Sequence, residues 1–464
     1  MITYLSQKTP ESIKKIYRSL AGAIPVRISL GRQYWSIREY IDKNDFLSKE
    51  DLESLQLKKI KKIVEYAYNN VDGYKQLYTE ANLSPKDINS FEDFRELPIV
   101  TKEIIRDNLN DFTSKNLGFF NKEYTATGGS SGIPFGFFRT RLNNYSEPAY
   151  IHSGWSRSGW EPDNLSVVLR GQYIGSKNLF YYFNKKTKEL SLSSYHLTSE
   201  TYQTYRSKIL SENFIYLQAY ASSASILSDL VIENGDCDKF PFKVIFLGSE
   251  NIYDFQLKKI KKAFPSSKIN HWYGHSEQAI LGQVCEFSDE YHISPTYGFT
   301  EILDVNKEEV REGDSGQLVG TSFWNYGTPF IRYQTDDIAV KGSSFCNNCG
   351  RNNLLIKNIE GRKQEMIVSK SGRHISMTAI NMHSDVFKNI KQFQFHQKLT
   401  GEVCLNLIQN KDFTANDKLK IKNEIQKKLG DDFILSLKLV DSIEKTSQGK
   451  YRFLIQELDL KYGE

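Results

Sequence analysis

The residues best suited to bind phosphate lie in the segment Thr125–Pro134, which reads TATGGSSGIP. It holds three glycines and four hydroxyl side chains in ten residues. Glycine lets the backbone approach a ligand closely, successive backbone N–H groups form a concave anion site, and hydroxyls add rotating donors. No lysine follows the last glycine, which excludes the GxxxxGK[ST] loop of common NTPases. By composition alone such a segment is typical of a surface turn, so a phosphate-binding interpretation needs support from elsewhere in the chain.

Carboxylates follow two β-like runs further along the chain. Glu277 ends the segment YGHSE at 273–277, just after a glycine turn, where it would suit Mg²⁺, an ion that prefers oxygen ligands and bound phosphate. Asp336 and Asp337 follow a second run, and one of them would accept hydrogen bonds from ribose hydroxyls. The alternatives are an exposed loop glutamate and ordinary turn aspartates.

A group of cysteine and histidine residues has the composition of a metal site. Cys346 and Cys349 form a CxxC pair with two polar residues between them. Cys285 and His292 are seven residues apart in a polar segment. Together they supply three thiolates and one imidazole, a complete tetrahedral set for Zn²⁺ with a structural role. Thiolate softness argues against Mg²⁺ or Ca²⁺ at this position. Four unrelated residues are the alternative, and the CxxC pair in a reducing compartment favours zinc.

Composition and charge narrow the class of protein. The length of 464 residues suffices for two or three domains. A net charge of +5, from 61 basic and 56 acidic residues, is too small an excess to indicate a nucleic-acid-binding protein. The most apolar early run, residues 20–28, is short and contains Pro25 and Arg27, so we expect no signal peptide, no transmembrane segment and a cytoplasmic location.

Repeats of strand, turn and helix supply the elements that would position these groups. Apolar runs at 165–169, 214–217 and 243–247 read as strands, and the last two lead through small-residue turns into helical stretches. Such repeats predict an α/β fold with a parallel sheet and covering helices. Ligands of these sheets bind at the carboxyl ends of the strands, where Ser222, Ser249 and Glu250 would fall.

The pattern of predicted strands and helices changes near residues 359–362. Beyond this point, runs at 391–399 and 403–409 predict a hairpin, Thr414 would cap a Lys-rich helix ending at Gly430, and 433–440 predicts another strand. This order predicts a small α+β domain at 361–464, after an N-terminal domain at 1–360. Lys450 lies in a loop near its end, where a lone lysine is usually solvated.

Taken in order, the motifs resemble the adenylate-forming superfamily of acyl-coenzyme A synthetases over almost the full chain. They are a TGGSSGxP loop, a strand ending in Gly-Ser-Glu, YGHSE, YQTDD, a GRxxE junction and TSQGK. The sequence looks most like the phenylacetate–coenzyme A ligase branch, which includes capsule-biosynthesis proteins and, in parts, a matching zinc site. The resemblance implies a large N-terminal domain of parallel and mixed sheets with covering helices, and a small mobile C-terminal α+β domain.

The resemblance implies a nucleotide-binding role for residues at the motif positions. The ATP β- and γ-phosphates would be cradled by Thr127, Gly128, Gly129, Ser130, Ser131 and Gly132. The adenine would be bordered by Ser249, Glu250, Tyr273 and Gly274. We expect the pocket for the acid to be lined by Tyr220, Ser222 and His275, and the alternative for His275 is a histidine of the core or of the pocket rim.

The resemblance also implies the charged groups of the reaction. Glu277 would bind Mg²⁺, Asp337 would bind the ribose, Arg362 would mark the start of the mobile domain, and Lys450 would be the lysine of adenylation. The chain departs from the usual YRTGD motif, with Gln334 at its Arg and Asp336 at its Gly. Residues 364–365, Gln-Glu, stand where an Asp-Asp hinge pair is common.

The implied activity is ATP-dependent, AMP-forming activation of a carboxylic acid. The acid would attack the α-phosphate of ATP, and Mg²⁺ on Glu277 together with the ammonium of Lys450 would neutralise charge as pyrophosphate leaves. The acyl-adenylate would then react with coenzyme A, in a role that the branch connects with surface polysaccharide biosynthesis. Two alternatives stay open: transfer to the amine of an amino sugar or amino acid, and a non-catalytic nucleotide-binding scaffold in polysaccharide assembly.

Overall fold

The computed structural model describes residues 24–118, 121–126, 135–170, 180–250, 252–362, 366–372, 374–376, 389–443 and 452–458. Its helices are α1 Val26–Lys43, α2 Lys49–Asn70, α3 Asp72–Glu80, α4 Phe91–Arg95, α5 Lys102–Asp107, α6 Asn143–Ser156, α7 Ser199–Leu210, α8 Ala221–Glu233, α9 Asp254–Ala263 and α10 Ala415–Leu429.

The strands, numbered along the chain, are β1 Lys122–Ala126, β2 Gly136–Thr140, β3 Ser166–Leu169, β4 Tyr181–Asn184, β5 Glu189–Leu192, β6 Tyr216–Ala219, β7 Val244–Leu247, β8 Lys268–Gly274, β9 Leu281–Val284, β10 Tyr291–Ile293, β11 Gly298–Leu303, β12 Ser315–Ser322, β13 Tyr333–Lys341, β14 Leu355–Arg362, β15 Met366–Val368, β16 His374–Ser376, β17 Ile390–Leu399, β18 Glu402–Gln409, β19 Ile434–Leu439 and β20 Leu454–Gln456. None of the helices within these described ranges is long and apolar enough to cross a bilayer.

The chain divides into two compact units. Within the described residues, the first unit holds the segments up to Lys43, Tyr145–Gly248 and Lys259–His271, and the second holds Asn44–Asn144, Ser249–Lys258 and the residues from Trp272 onward. The domain boundary expected between residues 360 and 361 stays a prediction. At that position the backbone of β14 continues as one strand to Arg362.

The first unit is built on a mostly parallel sheet. The strand order is the start of β8, then β7, β6, β3, β5 and β4, and β4 is the antiparallel edge strand. Strands β3, β6 and β7 are buried along their whole length, as expected where helices cover both faces of a parallel sheet. The three strands predicted from apolar runs are therefore confirmed, with β6 displaced two residues toward the C-terminus.

The second unit contains an antiparallel sheet. The strand order is β11, β12, β13, β14, β10, β9 and the end of β8. Ile60, Ile63, Val64 and Ala67 of α2 are buried in its hydrophobic core, because residues three and four apart share one helix face. Ser48 caps the start of α2, and its side chain accepts a hydrogen bond from the Asp51 amide.

A short hairpin in the second unit fixes the ends of the glycine-rich segment. Strands β1 and β2 pair antiparallel, with Ala126 opposite Gly136. A Cβ atom on Gly136 would collide with the hydroxyl end of the Tyr124 side chain across the hairpin, so a larger residue there would have to displace that exposed ring. Residues 127–134 between these strands lie outside the described residues.

The C-terminal part of the second unit forms its own four-stranded sheet, in the order β19, β18, β17, β20. The predicted hairpin is confirmed as β17–β18, and the predicted helix is confirmed as α10. Thr414 caps α10 by accepting a hydrogen bond from the Asp417 amide, and Gly430 follows its last residue with a φ of 79°. The parallel edge strand β20 was not predicted, because three residues are too few to show a period.

Candidate nucleotide site and metal cluster

Glu277 lies in a turn that directly follows β8, as its place after a glycine predicts. Gly274 is the last residue of the strand, and the turn closes where the Gln278 amide donates to the His275 carbonyl at 3.0 Å. Gln278 adopts a φ of 59°, and its side-chain oxygen accepts a 2.6 Å hydrogen bond from Asn143 Nδ2. This bond anchors the turn to the start of α6. Glu277 is only 8% exposed, so the alternative of an exposed loop glutamate is wrong.

Two side chains orient the Glu277 carboxylate. Tyr333 Oη donates to Oε1 at 3.0 Å, and His275 Nδ1 lies 3.2 Å from Oε2. The Ile280 amide donates to His275 Nε2 at 3.2 Å, so the proton of the ring is assigned to Nδ1, which donates to the carboxylate. A hydroxyl and an imidazole N–H thus hold the direction of the carboxylate, whose oxygens offer about four acceptor positions.

Tyr273 and Asp337 form a second polar pair in the second unit. Tyr273 Oη donates to Asp337 Oδ2 at 2.5 Å, and Asp337 is 6% exposed. Asp337 stands on β13 directly opposite Arg362 of β14. The structure therefore brings together Tyr273 at the end of β8 and Asp337 on β13, two residues that the sequence separates by 64 positions.

Aromatic contacts connect the glycine-rich segment to Glu277. Phe135, the first described residue after that segment, stacks on Tyr333 with ring centroids 6.4 Å apart and planes within 9°. Tyr333 in turn donates to Glu277. The rings of Phe135 and Tyr333 thus connect the end of the glycine-rich segment to the Glu277 carboxylate. The predicted phosphate-loop residues Thr127, Gly128, Gly129, Ser130, Ser131 and Gly132 lie outside the described residues, as does Lys450.

A buried ion pair fixes the backbone just before Tyr333. Arg332 Nη2 lies 2.8 Å from Glu301 Oε1, with both side chains at most 5% exposed. Burial raises the pKa of Glu301, and the neighbouring Arg332 guanidinium opposes that rise. The Arg332 guanidinium also donates to the Leu97 carbonyl at 2.7 Å, so it ties the start of β13 to the segment before α5. Neither Arg332 nor Tyr333 was predicted as part of the site.

Ser249 and Glu250 follow β7, as the sequence predicts. Ser249 has a φ of 65°, an uncommon value for a residue with a side chain. Three residues beyond Glu250, Tyr253 enters the hydrophobic cluster of the C-terminal sheet, with its ring centroid 4.5 Å from that of Phe453. The segment predicted to border adenine therefore leads directly into a contact with β20 and its flank.

The residues predicted to line the acid pocket fall in different units. Tyr220 follows β6 and precedes α8, and Ser222 is a buried residue in the first turn of α8. Both lie in the first unit, at the carboxyl ends of parallel strands, as predicted. His275 lies in the second unit, where it contacts Glu277.

Cys285, His292, Cys346 and Cys349 converge in the second unit. Cys285 follows β9, His292 lies on β10, and the CxxC turn precedes β14, so three adjacent strands bring them together. Their ligand atoms all lie within 4.8 Å of one another, with Cys285 Sγ 3.9 Å from Cys346 Sγ and Cys349 Sγ 3.8 Å from His292 Nε2. Ligand atoms around a tetrahedral Zn²⁺ stand roughly 3.5–3.8 Å apart. The two shorter separations lie close to this range, so small side-chain movements would bring the four residues around Zn²⁺.

The surroundings of the cluster shift the pKa values of two of its thiols in opposite directions, and burial raises the pKa of Cys349 to about 11. Burial disfavours the Cys346 thiolate, but hydrogen bonds from the Cys349 and Asn348 amides outweigh burial and lower the pKa of Cys346. Arg351 lies beside Cys349 and pairs with Asp45 at 2.8 Å and with Glu286 at 3.1 Å. Neither partner of Arg351 belongs to a sequence motif, so this network was not predictable from spacing.

The chain is similar to proteins of known family and structure. Residues 367–457 match the family model described as the CapK C-terminal domain. The chain is 24% identical to Protein CapK of Staphylococcus aureus over 468 residues, which cover 99% of this chain and 100% of that protein. It is 24% identical to phenylacetate-coenzyme A ligase of Thermus thermophilus over 339 residues, covering 69% of this chain and 73% of that one. The solved structure of 2-hydroxyisobutyryl-CoA ligase in the postadenylation state, in complex with 2-HIB-AMP, has a TM-score of 0.72 at 17% identity, covering 89% of this chain and 91% of that one.

These matches confirm the resemblance that the motifs indicate. The homologues of the chain include phenylacetate-coenzyme A ligases and Protein CapK, and its structural neighbours are adenylate-forming coenzyme A ligases. The predicted α/β fold class is confirmed with them. The relatives support a ligase-like function of the adenylate-forming type, and the roles of individual residues stay predictions.

Proposed function

We propose that the protein activates a carboxylic acid with ATP, forming an acyl-adenylate and pyrophosphate, and then transfers the acyl group to coenzyme A. The observation that carries this proposal is the arrangement around Glu277. A buried carboxylate is oriented by Tyr333 and His275, and the ring of Tyr333 stacks on Phe135 at the end of the glycine-rich segment. The names of the relatives, which are ligases of acids with coenzyme A, agree with this chemistry.

The first half-reaction joins two anions. A carboxylate oxygen of the acid attacks the α-phosphorus of ATP, and the bond from that phosphorus to the pyrophosphate oxygen breaks. Because negative charge accumulates, the rate depends on positive charge placed around the phosphates. Mg²⁺ bound at Glu277 would supply part of that charge, since the carboxylate provides the hard oxygen ligands that this ion prefers. The ammonium of Lys450 would supply the rest.

The remaining nucleotide contacts follow from the positions of the polar pairs. The ribose hydroxyls would donate to Asp337, whose carboxylate Tyr273 orients. The phosphates would be held by Thr127 to Gly132, and the adenine by Ser249, Glu250, Tyr273 and Gly274. These contacts hold ATP in one orientation, which lowers the entropic part of the barrier.

In the second half-reaction the thiol sulfur of coenzyme A attacks the carbonyl carbon of the acyl-adenylate. AMP leaves as the thioester forms, and the thiol proton is released. The small C-terminal domain, starting near Arg362, would carry Lys450 away from the site between the two steps. We further propose a cytoplasmic role in surface polysaccharide biosynthesis, which the motif resemblance implies, and the chain is similar to Protein CapK over its full length.

We also propose that Cys285, His292, Cys346 and Cys349 bind a structural Zn²⁺. Their ligand atoms all lie within 4.8 Å of one another, and the four side chains would fill all four positions of a tetrahedral Zn²⁺. With no position left for a substrate, the ion would hold β9, β10 and the turn before β14 together. It takes no part in the proposed reaction.

A screen of carboxylic acids tests the activity. The full chain, ATP and Mg²⁺ are incubated with each acid, and pyrophosphate and AMP are measured with and without coenzyme A. We expect both products with at least one acid, and a thioester when coenzyme A is present. An amide formed with an amino sugar or amino acid instead would contradict the proposed acceptor. No AMP with any acid would contradict the activity itself and favour the scaffold function.

Lys450→Ala tests the lysine of adenylation, with Lys438→Ala on the exposed face of β19 as a matched control. We expect Lys450→Ala to lose acid-dependent exchange between ATP and pyrophosphate by about 100-fold or more, because charge stabilisation in the transition state is lost. ATP binding, measured by calorimetry, should change little in either variant. Normal exchange in Lys450→Ala would remove this residue from the mechanism.

A further inference from the structure

The second unit holds a buried lysine that the proposed function does not use. Lys102 is the first residue of α5, and only 8% of its surface is exposed to solvent. Its ammonium nitrogen lies 5.8 Å from the centroid of the Phe135 ring. Among the residues that the structure describes, none accepts a hydrogen bond from this ammonium or forms an ion pair with it. Lysines are almost never buried to this extent unless they are paired.

The backbone places Lys102 beside Tyr333, the residue that orients Glu277. Val100, two residues before Lys102, forms a parallel bridge with Tyr333, and its carbonyl accepts a hydrogen bond from the Gln334 amide at 2.9 Å. The start of α5 is therefore attached to the start of β13 through the main chain. Because main-chain bonds carry this attachment, a change of the Lys102 side chain leaves it intact.

The ring beside the ammonium belongs to the aromatic contact that reaches Glu277. Phe135 stacks on Tyr333, and Tyr333 donates to the Glu277 carboxylate. Phe135 also directly follows the glycine-rich segment. The ammonium of Lys102 and the carboxylate of Glu277 therefore contact the two members of one stacked pair, at the end of that segment.

A chain of phosphates is the ligand that suits both charged groups. Mg²⁺ at a carboxylate binds phosphate oxygens, and an ammonium binds them directly as a compact charge with three donors. The face of a phenyl ring replaces only part of the water that a buried ammonium loses, so Lys102 gains from an anion that reaches it from outside the fold. In a GxxxxGK[ST] loop, the lysine that contacts the β- and γ-phosphates directly follows the last glycine. In this chain that position is Ile133.

We propose that Lys102 binds the β- and γ-phosphates of ATP, and the pyrophosphate formed from them. This inference rests on the proposed function, since it adds a residue to the nucleotide site of that reaction. The lysine that common NTPases carry inside the glycine-rich loop is supplied here by α5. When the bond from the α-phosphorus to the pyrophosphate oxygen breaks, the electron pair stays on pyrophosphate, and the ammonium of Lys102 stabilises that charge.

The affinities of three phosphate ligands test the proposal. ATP, pyrophosphate and AMP, each with Mg²⁺, are titrated by calorimetry into the full chain without an acid. Lys102→Met removes the charge and keeps an unbranched side chain. We expect it to bind ATP and pyrophosphate about 10- to 100-fold more weakly, the effect of one charge-assisted hydrogen bond. AMP lacks both of the phosphates concerned, so its affinity should stay within about twofold.

Three further variants sharpen the measurement. Lys102→Arg keeps the charge, and its affinities should lie between those of wild type and Lys102→Met. Lys49→Met is the matched control, because Lys49 is also the first residue of a helix, α2, but is exposed. It should bind all three ligands as wild type does. Lys450→Ala should differ from Lys102→Met, because it is expected to lose exchange while ATP binding changes little.

Three outcomes would overturn the proposal. One is equal affinity of wild type and Lys102→Met for ATP and pyrophosphate. Another is a loss of AMP affinity as large as the loss of ATP affinity, because Lys102 would then act on the adenosine or the α-phosphate. The third is a loss accompanied by a lower melting temperature without ligand, which would show a structural role. Removal of a buried charge that the described chain does not pair should not lower that temperature.

The same measurement separates this inference from the proposed function. If no acid supports pyrophosphate release, but Lys102→Met weakens ATP and pyrophosphate binding and spares AMP, the proposed activity fails and the site at Lys102 stands. If wild type activates an acid and Lys102→Met binds ATP and pyrophosphate normally, the activity stands and this inference fails. If wild type binds neither ATP nor pyrophosphate, both fail.

Discussion

Two clusters of polar side chains in the second unit differ in how their ligand atoms are arranged. Around Glu277, a tyrosine hydroxyl and an imidazole orient one carboxylate from the side. In the cysteine and histidine cluster, four ligand atoms face one another within 4.8 Å. The first arrangement needs a partner from outside the chain to complete a metal site, and the second is completed by the chain alone. If both proposals hold, the first is a site that exchanges its ligand and the second is a site that keeps it.

The two clusters also differ in their surroundings. The cysteine and histidine cluster is flanked by Arg351, which is ion-paired to Asp45 and Glu286 and stacks on Phe46 at 4.6 Å. That network fastens the metal-binding turn to the segment before α2. Glu277 is instead connected through Tyr333 to Phe135, at the edge of the glycine-rich segment. The contacts of Arg351 therefore connect the cysteine and histidine cluster to the rest of the fold. The contacts of Tyr333 connect Glu277 to the predicted ligand site.

The largest effect is expected from Glu277→Gln. The amide keeps the shape of the side chain but loses the charge that would bind Mg²⁺, so we expect exchange between ATP and pyrophosphate to fall by about 100- to 1,000-fold. Zinc content and melting temperature should stay close to wild type. A variant with normal exchange would show that Glu277 is only a structural carboxylate, and the distinction between the two clusters would disappear.

We expect Cys346→Ser to lower the activity less than Glu277→Gln does, and to lower the stability more. Loss of one thiolate should weaken zinc binding by at least about 100-fold. This loss exceeds the one usual when a residue hydrogen-bonded to a metal ligand is removed. Metal analysis should then find substoichiometric zinc, and the melting temperature should fall by several degrees. Cys237→Ser changes an exposed cysteine outside the cluster and serves as the control.

In that experiment, activity should decline only as far as the folded fraction declines. Treatment of wild type with a chelator should lower its melting temperature in the same way. The opposite result is that the chelator abolishes exchange between ATP and pyrophosphate while the chain stays folded. That result would place the metal in the reaction and contradict the distinction between the two clusters.

Several elements of the fold and the members of one cluster were predictable from sequence. The apolar runs predict β3, β6 and β7, and the cap at Thr414 and the glycine at 430 predict both ends of α10. The CxxC spacing, with Cys285 and His292, predicts the cluster that the structure brings together. These features are local in sequence or have a fixed chemical spacing, so they depend little on the tertiary fold.

The partners of the site residues were not predictable in the same way. Tyr333 lies 56 residues from Glu277, and Arg351 lies 306 residues from Asp45. These pairs depend on which strands become neighbours, and no local pattern encodes that order.

The smallest effect is expected from Tyr273→Phe, which removes the hydroxyl that orients Asp337. One hydrogen bond to a charged group is lost, so we expect KM for ATP to rise by roughly three- to tenfold with kcat almost unchanged. Tyr182→Phe, an exposed tyrosine on β4, provides the control.

A nucleotide lacking one ribose hydroxyl tells whether the pair of Tyr273 and Asp337 contacts the sugar. If Asp337 binds the ribose, wild type should discriminate against 2′-deoxy-ATP or 3′-deoxy-ATP, and Tyr273→Phe should discriminate less, because its carboxylate is less well oriented. Equal discrimination in both proteins would place the ribose elsewhere. The polar pair would then be a structural contact between β8 and β13, as closed to ligands as the cysteine and histidine cluster.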